Sequence, residues 1–372
     1  MKINDFKLER FFAKYEFSTP YLLCSSDCES FSIGELLASE KNSENKLKKL
    51  CLGYTESQGS PILRKEISKL YDNIKPEEII VFAGAEEGIF VFMNVLLEKG
   101  DHVIVQYPAY QSLHEIAKSI GCRITKWVMD DKDKWELDLD FLKKKIKKNT
   151  KAIVINFPHN PTGYLISKNK FKKIVEIAKK KNLFVFSDEV YRFMEYDKKD
   201  RLPASCDIYD KGISLGVMSK AFGLPGLRIG WIATKDKTLL KKVACFKDFT
   251  TICNSAPSEF FSILALRNKE EIVKRNLNII KNNLKLLDKF FIKYNNLVEW
   301  VRPKAGSIAF PRIKFNKDVE GFCIDLVNKK GVLLLPSTLY DYDNKHFRIG
   351  FGRKNMPEAL KKLEEYIKKN LN

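Results

Sequence analysis

The chain has 372 residues, 44% of them hydrophobic and 30% charged, the composition of a globular protein long enough for one large domain and a smaller one. Its formal net charge of +19 invites a nucleic-acid reading, but the lysines are scattered through segments such as 46–49, 143–148 and 179–181, so no nucleic-acid partner is expected. No apolar run reaches the length of a membrane span, the first ten residues lack a signal peptide's apolar core, and the eight cysteines show neither a paired framework nor a zinc spacing; a soluble, cytoplasmic, metal-free protein with buried or partly buried free thiols is expected.

Residues 1 to about 50 read as irregular, with Phe11, Phe12, Tyr15, Phe17 and Tyr21 needing a larger body to pack on. Gly53 and Gly59 mark a loop, and Ser60-Pro61 then reads as an N-cap and first helical position. An alternation follows. Ile79–Ala83 is strand-like and Ala85–Glu98 helical, and Val103–Val105 with Tyr110–Ile120 repeats the pair. Cys122–Val128 precedes a helix over Leu139–Lys148, Ala152–Asn156 precedes Lys168–Lys180, and Leu183–Ser187 is a further strand. Apolar strands between amphipathic helices specify a parallel sheet covered on both faces, whose ligands bind beyond the carboxyl ends of the strands.

From about Thr234 the pattern changes. Helices are predicted over Leu239–Phe246, Pro257–Phe291 and near Phe322–Lys329, and strands over Ala309–Ile313, Val332–Pro336 and His346–Gly350. Pro357–Leu371 closes the chain as an amphipathic helix. The expected division is a large domain over 51–265 and a small α+β domain over 266–372, which the segment 1–50 joins.

The most specific chemistry lies in Ser214–Ala233. Lys220 stands there among small, apolar and glycine residues. Burial lowers a lysine's pKa, and a neutral amine forms Schiff bases with carbonyls. Arg228, eight residues on, offers a planar fork of donors suited to a phosphate. An imine-forming amine beside a phosphate clamp points to pyridoxal phosphate. Three further segments follow predicted strands and so reach the same sheet edge: Gly84-Ala-Glu-Glu-Gly88, Pro158-His-Asn-Pro-Thr-Gly163 and Asp188-Glu-Val-Tyr191. The first also opens a helix, whose free N–H groups suit a phosphate.

In these motifs, in this order from about Leu52 to Arg348, the chain resembles the class I/II aminotransferases, pyridoxal-phosphate enzymes of fold type I. The resemblance implies a mostly parallel seven-stranded sheet sandwiched by helices, a small α+β domain and a homodimer with its active sites at the interface. It implies that Lys220 holds the cofactor as a Schiff base and moves the substrate proton, and that Asp188 pairs with the pyridine nitrogen. Tyr191 and Asn160 then donate to the phenolic oxygen, and Tyr110 stacks on the ring. Gly84, Ala85, Glu86, Ser219 and Arg228 form the phosphate cup, and Tyr54 reaches the phosphate of the neighbouring subunit. Arg348 binds the substrate α-carboxylate, and Ser32, Ile33 and Gly34 border the substrate pocket beside Asn160.

The chain also departs from the family pattern. Val217 stands where many relatives carry a hydroxyl three residues before the lysine, and Glu86 sets a carboxylate at the phosphate cup. The segments Gly84–Phe90 and Pro108–Leu113 are similar to a subgroup that includes capreomycidine synthase. Two chemistries therefore stay open: amino transfer between an L-amino acid and a 2-oxo acid, or cyclisation or elimination at the β- or γ-carbon of an amino acid. A non-enzymatic protein of this fold is the third alternative. Cys24 and Cys28 have no assigned role.

Overall fold

The structure, a computed structural model, describes residues 2–371. Helices α1 (Lys7–Tyr15), α2 (Ile33–Leu37), α3 (Ser43–Lys48) and α4 (Pro61–Ser68) precede the first strand. Then β1 (Ile79–Phe82), α5 (Ala85–Leu96), β2 (His102–Tyr107), α6 (Ser112–Ile120) and β3 (Arg123–Val128) alternate. The alternation continues through α7 (Leu139–Lys145), β4 (Thr150–Asn156), α8 (Lys168–Lys180), β5 (Phe184–Asp188), α9 (Ser205–Ile208), β6 (Gly212–Val217) and β7 (Gly230–Ala233). The remaining chain forms α10 (Lys237–Lys247), α11 (Ala256–Arg267), α12 (Lys269–Lys293), β8 (Val298–Glu299), β9 (Ile308–Ala309) and β10 (Arg312–Ile313). It ends in α13 (Val319–Lys330), β11 (Leu335–Pro336), β12 (Phe347–Gly350) and α14 (Met356–Asn370).

The first seven strands form one sheet in the order β1-β7-β6-β5-β4-β2-β3, with β7 alone antiparallel to its neighbours. Strands β1, β2, β6 and β7 are buried at every position, as helices on both faces require, and only the edge strand β3 is largely open. Asn156 pairs with Asp188 across β4 and β5, and Asp188 with Leu215 across β5 and β6. The strand ends carrying the predicted chemistry are thus neighbours. No described helix is long and apolar enough to cross a membrane.

The two chain ends meet. Tyr21 bridges to Val332, and the Gly350 N–H donates to the Leu23 carbonyl at 2.8 Å.

Four expectations need correction. Residues 2–50 are not irregular throughout, because α1, α2 and α3 interrupt them. Leu8, Phe11, Phe12 and Tyr15 repeat at helical spacing and pack as one face of α1 on a hydrophobic cluster, and Ser32 with Glu35 forms a capping box on α2. The stretch Pro257–Phe291 is two helices broken at Asn268, whose side-chain amide donates to the Leu264 carbonyl at 2.9 Å and ends α11. Ala309–Ile313 is split around Phe310-Pro311 into β9, paired with β12, and β10, paired with β8, while Val332–Pro336 keeps strand pairing only at Leu335–Pro336 and the Val332 bridge. Finally, Cys51 and Cys245 are exposed, unlike Cys24 and Cys28, whose thiols burial pushes far above their ordinary range.

Candidate active site

A cavity of about 540 Å³ opens beyond the carboxyl ends of β2, β4, β5 and β6. Ala85, Glu86, Tyr110, Asn160, Asp188, Tyr191, Ser219, Lys220, Arg228 and Arg348 all line it. A larger cavity of about 740 Å³ lies among Trp135, Tyr164 and Trp300, but it holds none of the predicted site residues. Convergent chemistry, not volume, selects the smaller one.

Lys220 follows β6 and donates from Nζ to the Ser26 hydroxyl at 2.8 Å. Burial lowers its pKa; Asp27 and Asp188 oppose that shift and Arg348 adds to it. The Nζ lies 5.7 Å from the centre of the Tyr191 ring. Asp188 ends β5 and is 5% exposed. Burial pushes its carboxyl up to about 7, against the pull of the Val190 N–H at 3.1 Å and the charge of Lys220. Tyr191 is 1% exposed, and its hydroxyl has no hydrogen-bond partner among the described residues; Ser26 approaches without closing one.

The Asn156 side chain sets the neighbouring loop. It donates to the Asp188 carbonyl at 2.8 Å and accepts from the Asn160 N–H at 2.7 Å. The Asn160 side-chain Oδ1 then accepts from Arg348 Nη1 at 3.2 Å and from the Tyr340 hydroxyl at 3.3 Å. Arg348, on β12, also donates to the Cys24 carbonyl at 3.0 Å and to the Tyr340 hydroxyl at 2.8 Å. Its Nη2 makes no hydrogen bond among the described residues. One arm of the guanidinium thus stays free toward the cavity.

Gly84 stands at the N-cap of α5 with φ +92°, where no side chain caps the helix. That φ strains any residue with a side chain, and a Cβ there would lie 2.6 Å from Nη2 of Arg228, so the guanidinium would have to move. Ala85 and Glu86, in the first turn of α5, line the cavity together with Arg228 and Ser219, and the N–H groups of a helix's first turn have no partner within the helix. The Glu86 side chain turns to the Ser112 hydroxyl, and burial raises its pKa.

Residues 21–363 match the family model described as aminotransferase class I and II. This chain belongs to that family. Among its relatives, the aspartate aminotransferase of Sulfurisphaera tokodaii is 29% identical over 85% of this chain and 82% of its own length. The capreomycidine synthase of Streptomyces vinaceus is 26% identical over 98% of this chain and 93% of its own. A pyridoxal-phosphate-dependent aminotransferase from Streptococcus suis has a solved structure that superposes with a TM-score of 0.93 at 33% identity, covering 99% of each chain. The structure of the cyclase OrfR, also dependent on this cofactor, superposes with a TM-score of 0.91 at 26% identity over 99% of this chain and 98% of its own.

This aminotransferase is therefore a pyridoxal-phosphate-dependent enzyme of fold type I. The residues present fit the cofactor. A buried carboxyl raised to about 7 calls for a cation, which a protonated pyridine nitrogen supplies. The unpartnered Tyr191 hydroxyl calls for an acceptor, and the uncapped turn of α5 with Arg228 calls for a dianion.

Not every predicted residue reaches the cavity. Tyr54 is 94% exposed on the surface. Ser32, Ile33 and Gly34 are exposed on α2, where the Ser32 hydroxyl caps the helix. Sequence reading also missed residues that the fold brings in. Ser26 meets Lys220, Tyr340 meets Arg348, and α1 lays Glu9, Phe12 and Glu16 along one wall. For α1 the signal was present in its apolar spacing; for Ser26 and Tyr340, far from any motif, there was none.

Proposed function

We propose that this enzyme moves the amino group of an L-amino acid to a 2-oxo acid, with Lys220 as the amine that both holds the cofactor and carries the proton. The observation behind this is the opening of the Lys220 amine, the Asp188 carboxyl and the Arg348 guanidinium onto one cavity. When bound, pyridoxal phosphate supplies a carbonyl that captures amines and a ring that takes up the electrons of a substrate α-carbon. Arg228, Ser219 and the N–H groups of Ala85 and Glu86 would hold the phosphate. Asp188 would keep the proton on the pyridine nitrogen, Tyr191 and Asn160 would donate to the phenolic oxygen, and Tyr110 would cover the ring. The free arm of Arg348 orients the substrate by its α-carboxylate. Lys220, its pKa lowered by burial, takes the α-proton and returns it.

The test is a half-reaction. Purified enzyme should absorb in the visible and lose that absorption in Lys220→Ala. One amino acid added without an oxo acid should then yield pyridoxamine phosphate in an amount equal to the enzyme. The similarity to a capreomycidine synthase and to the cyclase OrfR, each across nearly the whole chain, favours a second reading, cyclisation or elimination at the β- or γ-carbon. That chemistry consumes many equivalents of one amino acid and returns the cofactor unchanged.

The working unit in this proposal is a homodimer in the cytoplasm. Exposed Leu52 (79%), Tyr54 (94%) and Phe249 (90%) support a covered surface, with Tyr54 serving the neighbouring site. Residues 266–372 with the segment 1–50 form the small domain against a large domain over 51–265, which the Tyr21 and Leu23 contacts support.

A further inference from the structure

We infer that the cavity of about 740 Å³, apart from the catalytic one, is a second binding site, and that it takes a small aromatic anion, a planar ring bearing a carboxylate or a phosphate. Nothing in this depends on the reaction carried out at Lys220.

Four stretches build the cavity: the turn ahead of α7, the segment from β4 into α8, residues 199–200, and residues 300–304 ahead of β9. Trp135, Tyr164, Leu165, Ile166, Trp300 and Val301 give it aromatic and aliphatic walls. Apolar walls with a few placed polar groups are the usual make-up of a small-molecule site. The two indoles are held in place. Trp135 packs edge-on against His346, ring centres 5.4 Å apart, and Trp300 stacks on Phe291 at 4.2 Å. Trp135 is 1% exposed and Tyr164 9%, yet the indole Nε1 and the phenol hydroxyl have no hydrogen-bond partner among the described residues. The hydroxyl approaches Glu136 without closing a bond. An indole N–H can only donate, so the unpartnered Trp135 calls for an acceptor that the protein does not supply.

The charge around the cavity gives the acceptor its sign. Helix α8 starts there: its N-cap Ser167 and its first residues, Lys168 and Asn169, line the cavity, and its first turn holds no acidic residue. The free N–H groups and the positive end of the dipole are thus left without a negative partner on the helix itself. Lys134, Lys168 and Lys304 line the same space and make no ion pair among the described residues. The other cations there are already engaged, Lys199 by Asp197 at 2.8 Å and Arg302 by Asp288 at 2.7 Å. Of the two carboxylates on the walls, Glu136 is held by Lys170 and feels the charge of Lys304 as well, which leaves only Asp200 without an ion pair. Three cations, a helix start and an orphan N–H against one carboxylate favour an anion, and the two indoles favour a planar ring to carry it. Such an occupant would also touch the loop that carries Asn160, because Thr162 lines this cavity and its hydroxyl meets the His159 ring at 2.8 Å.

The experiment is calorimetric titration of the cofactor-loaded enzyme with three probes: indole-3-acetate, its neutral counterpart indole-3-acetamide, and acetate, which has the charge without the ring. Indole-3-acetate should bind about tenfold or more tightly than either of the others. In K134Q/K168Q/K304Q, three exposed positions, its advantage over the amide should fall to about threefold or less, while the melting temperature verifies folding. Trp135→Phe keeps the ring stack but removes the N–H, so it should weaken indole-3-acetate about three- to tenfold. Arg348→Lys is the control for the catalytic cavity and should leave the preference for indole-3-acetate in place. An amide or acetate that binds as tightly as indole-3-acetate would overturn the inference, as would a preference unmoved in both K134Q/K168Q/K304Q and Trp135→Phe. Binding that weakens in Arg348→Lys but not in the triple variant would place the probe at the catalytic cavity and overturn it too. So would a smaller sedimenting mass in the triple variant with no charge preference in the wild type, since a second copy's carboxylates would then fill the cavity.

Discussion

Replacing Asp188 by asparagine tests the link between burial and cofactor chemistry most directly. Burial moves this carboxyl from its ordinary 3.8 to about 7. At ~1.4 kcal/mol for each tenfold change in proton affinity, ionising it in the cofactor-free protein costs about 4 kcal/mol. A carboxyl whose folded pKa is raised binds its proton more tightly in the folded state. Its stabilising contribution is therefore full below about pH 4 and is lost as the pH climbs to about 7. Asparagine does not titrate, so the stability of Asp188→Asn relative to wild type should rise by about 2.5 kcal/mol between pH 5 and pH 8. Urea unfolding of both cofactor-free proteins at the two pH values measures this. Pyridoxal phosphate should then recover the loss in wild type alone, because its ring nitrogen supplies the missing cation. If the two proteins' stabilities move in parallel with pH, Asp188 is not a buried carboxylate awaiting a cation and its assignment fails.

Other outcomes follow from the same geometry. Lys220→Ala should keep the fold, lose the visible absorption of the bound cofactor and slow the half-reaction by about 10³-fold or more, as single-turnover spectroscopy would record. Arg348→Lys keeps the charge but loses the fork, so KM for the amino acid should rise about tenfold or more in steady-state assays; an unchanged KM removes Arg348 from the substrate site. Gly84→Ala sets a Cβ 2.6 Å from the Arg228 guanidinium at φ +92°. It should cost about 1–3 kcal/mol in urea unfolding and weaken cofactor binding in a fluorescence titration. Glu86→Gln removes a charge from the first turn of α5 beside the proposed phosphate cup, so cofactor affinity should rise about two- to fivefold in the same titration.

The sequence by itself determined the sheet and the chemistry at its edge. Buried parallel strands leave a nearly unbroken apolar run, and each motif sits directly after one, so Gly84, Asn160, Asp188 and Lys220 were legible as neighbours before any contact was known. The cofactor was legible too, because an amine in an apolar run and a phosphate-binding helix start are local signatures. Tertiary structure decided the far wall of the cavity. Glu9 and Glu16 lie roughly 200 residues from Lys220 and owe their place to Gln111, which holds α1 across the cavity; Ser26 and Tyr340 arrive on segments brought in by pairing between the chain ends. Periodicity reports which face of a helix is apolar, but not what that helix packs against. The backbone anchors and loop closures that settle this join residues far apart in the chain, and no local pattern records them.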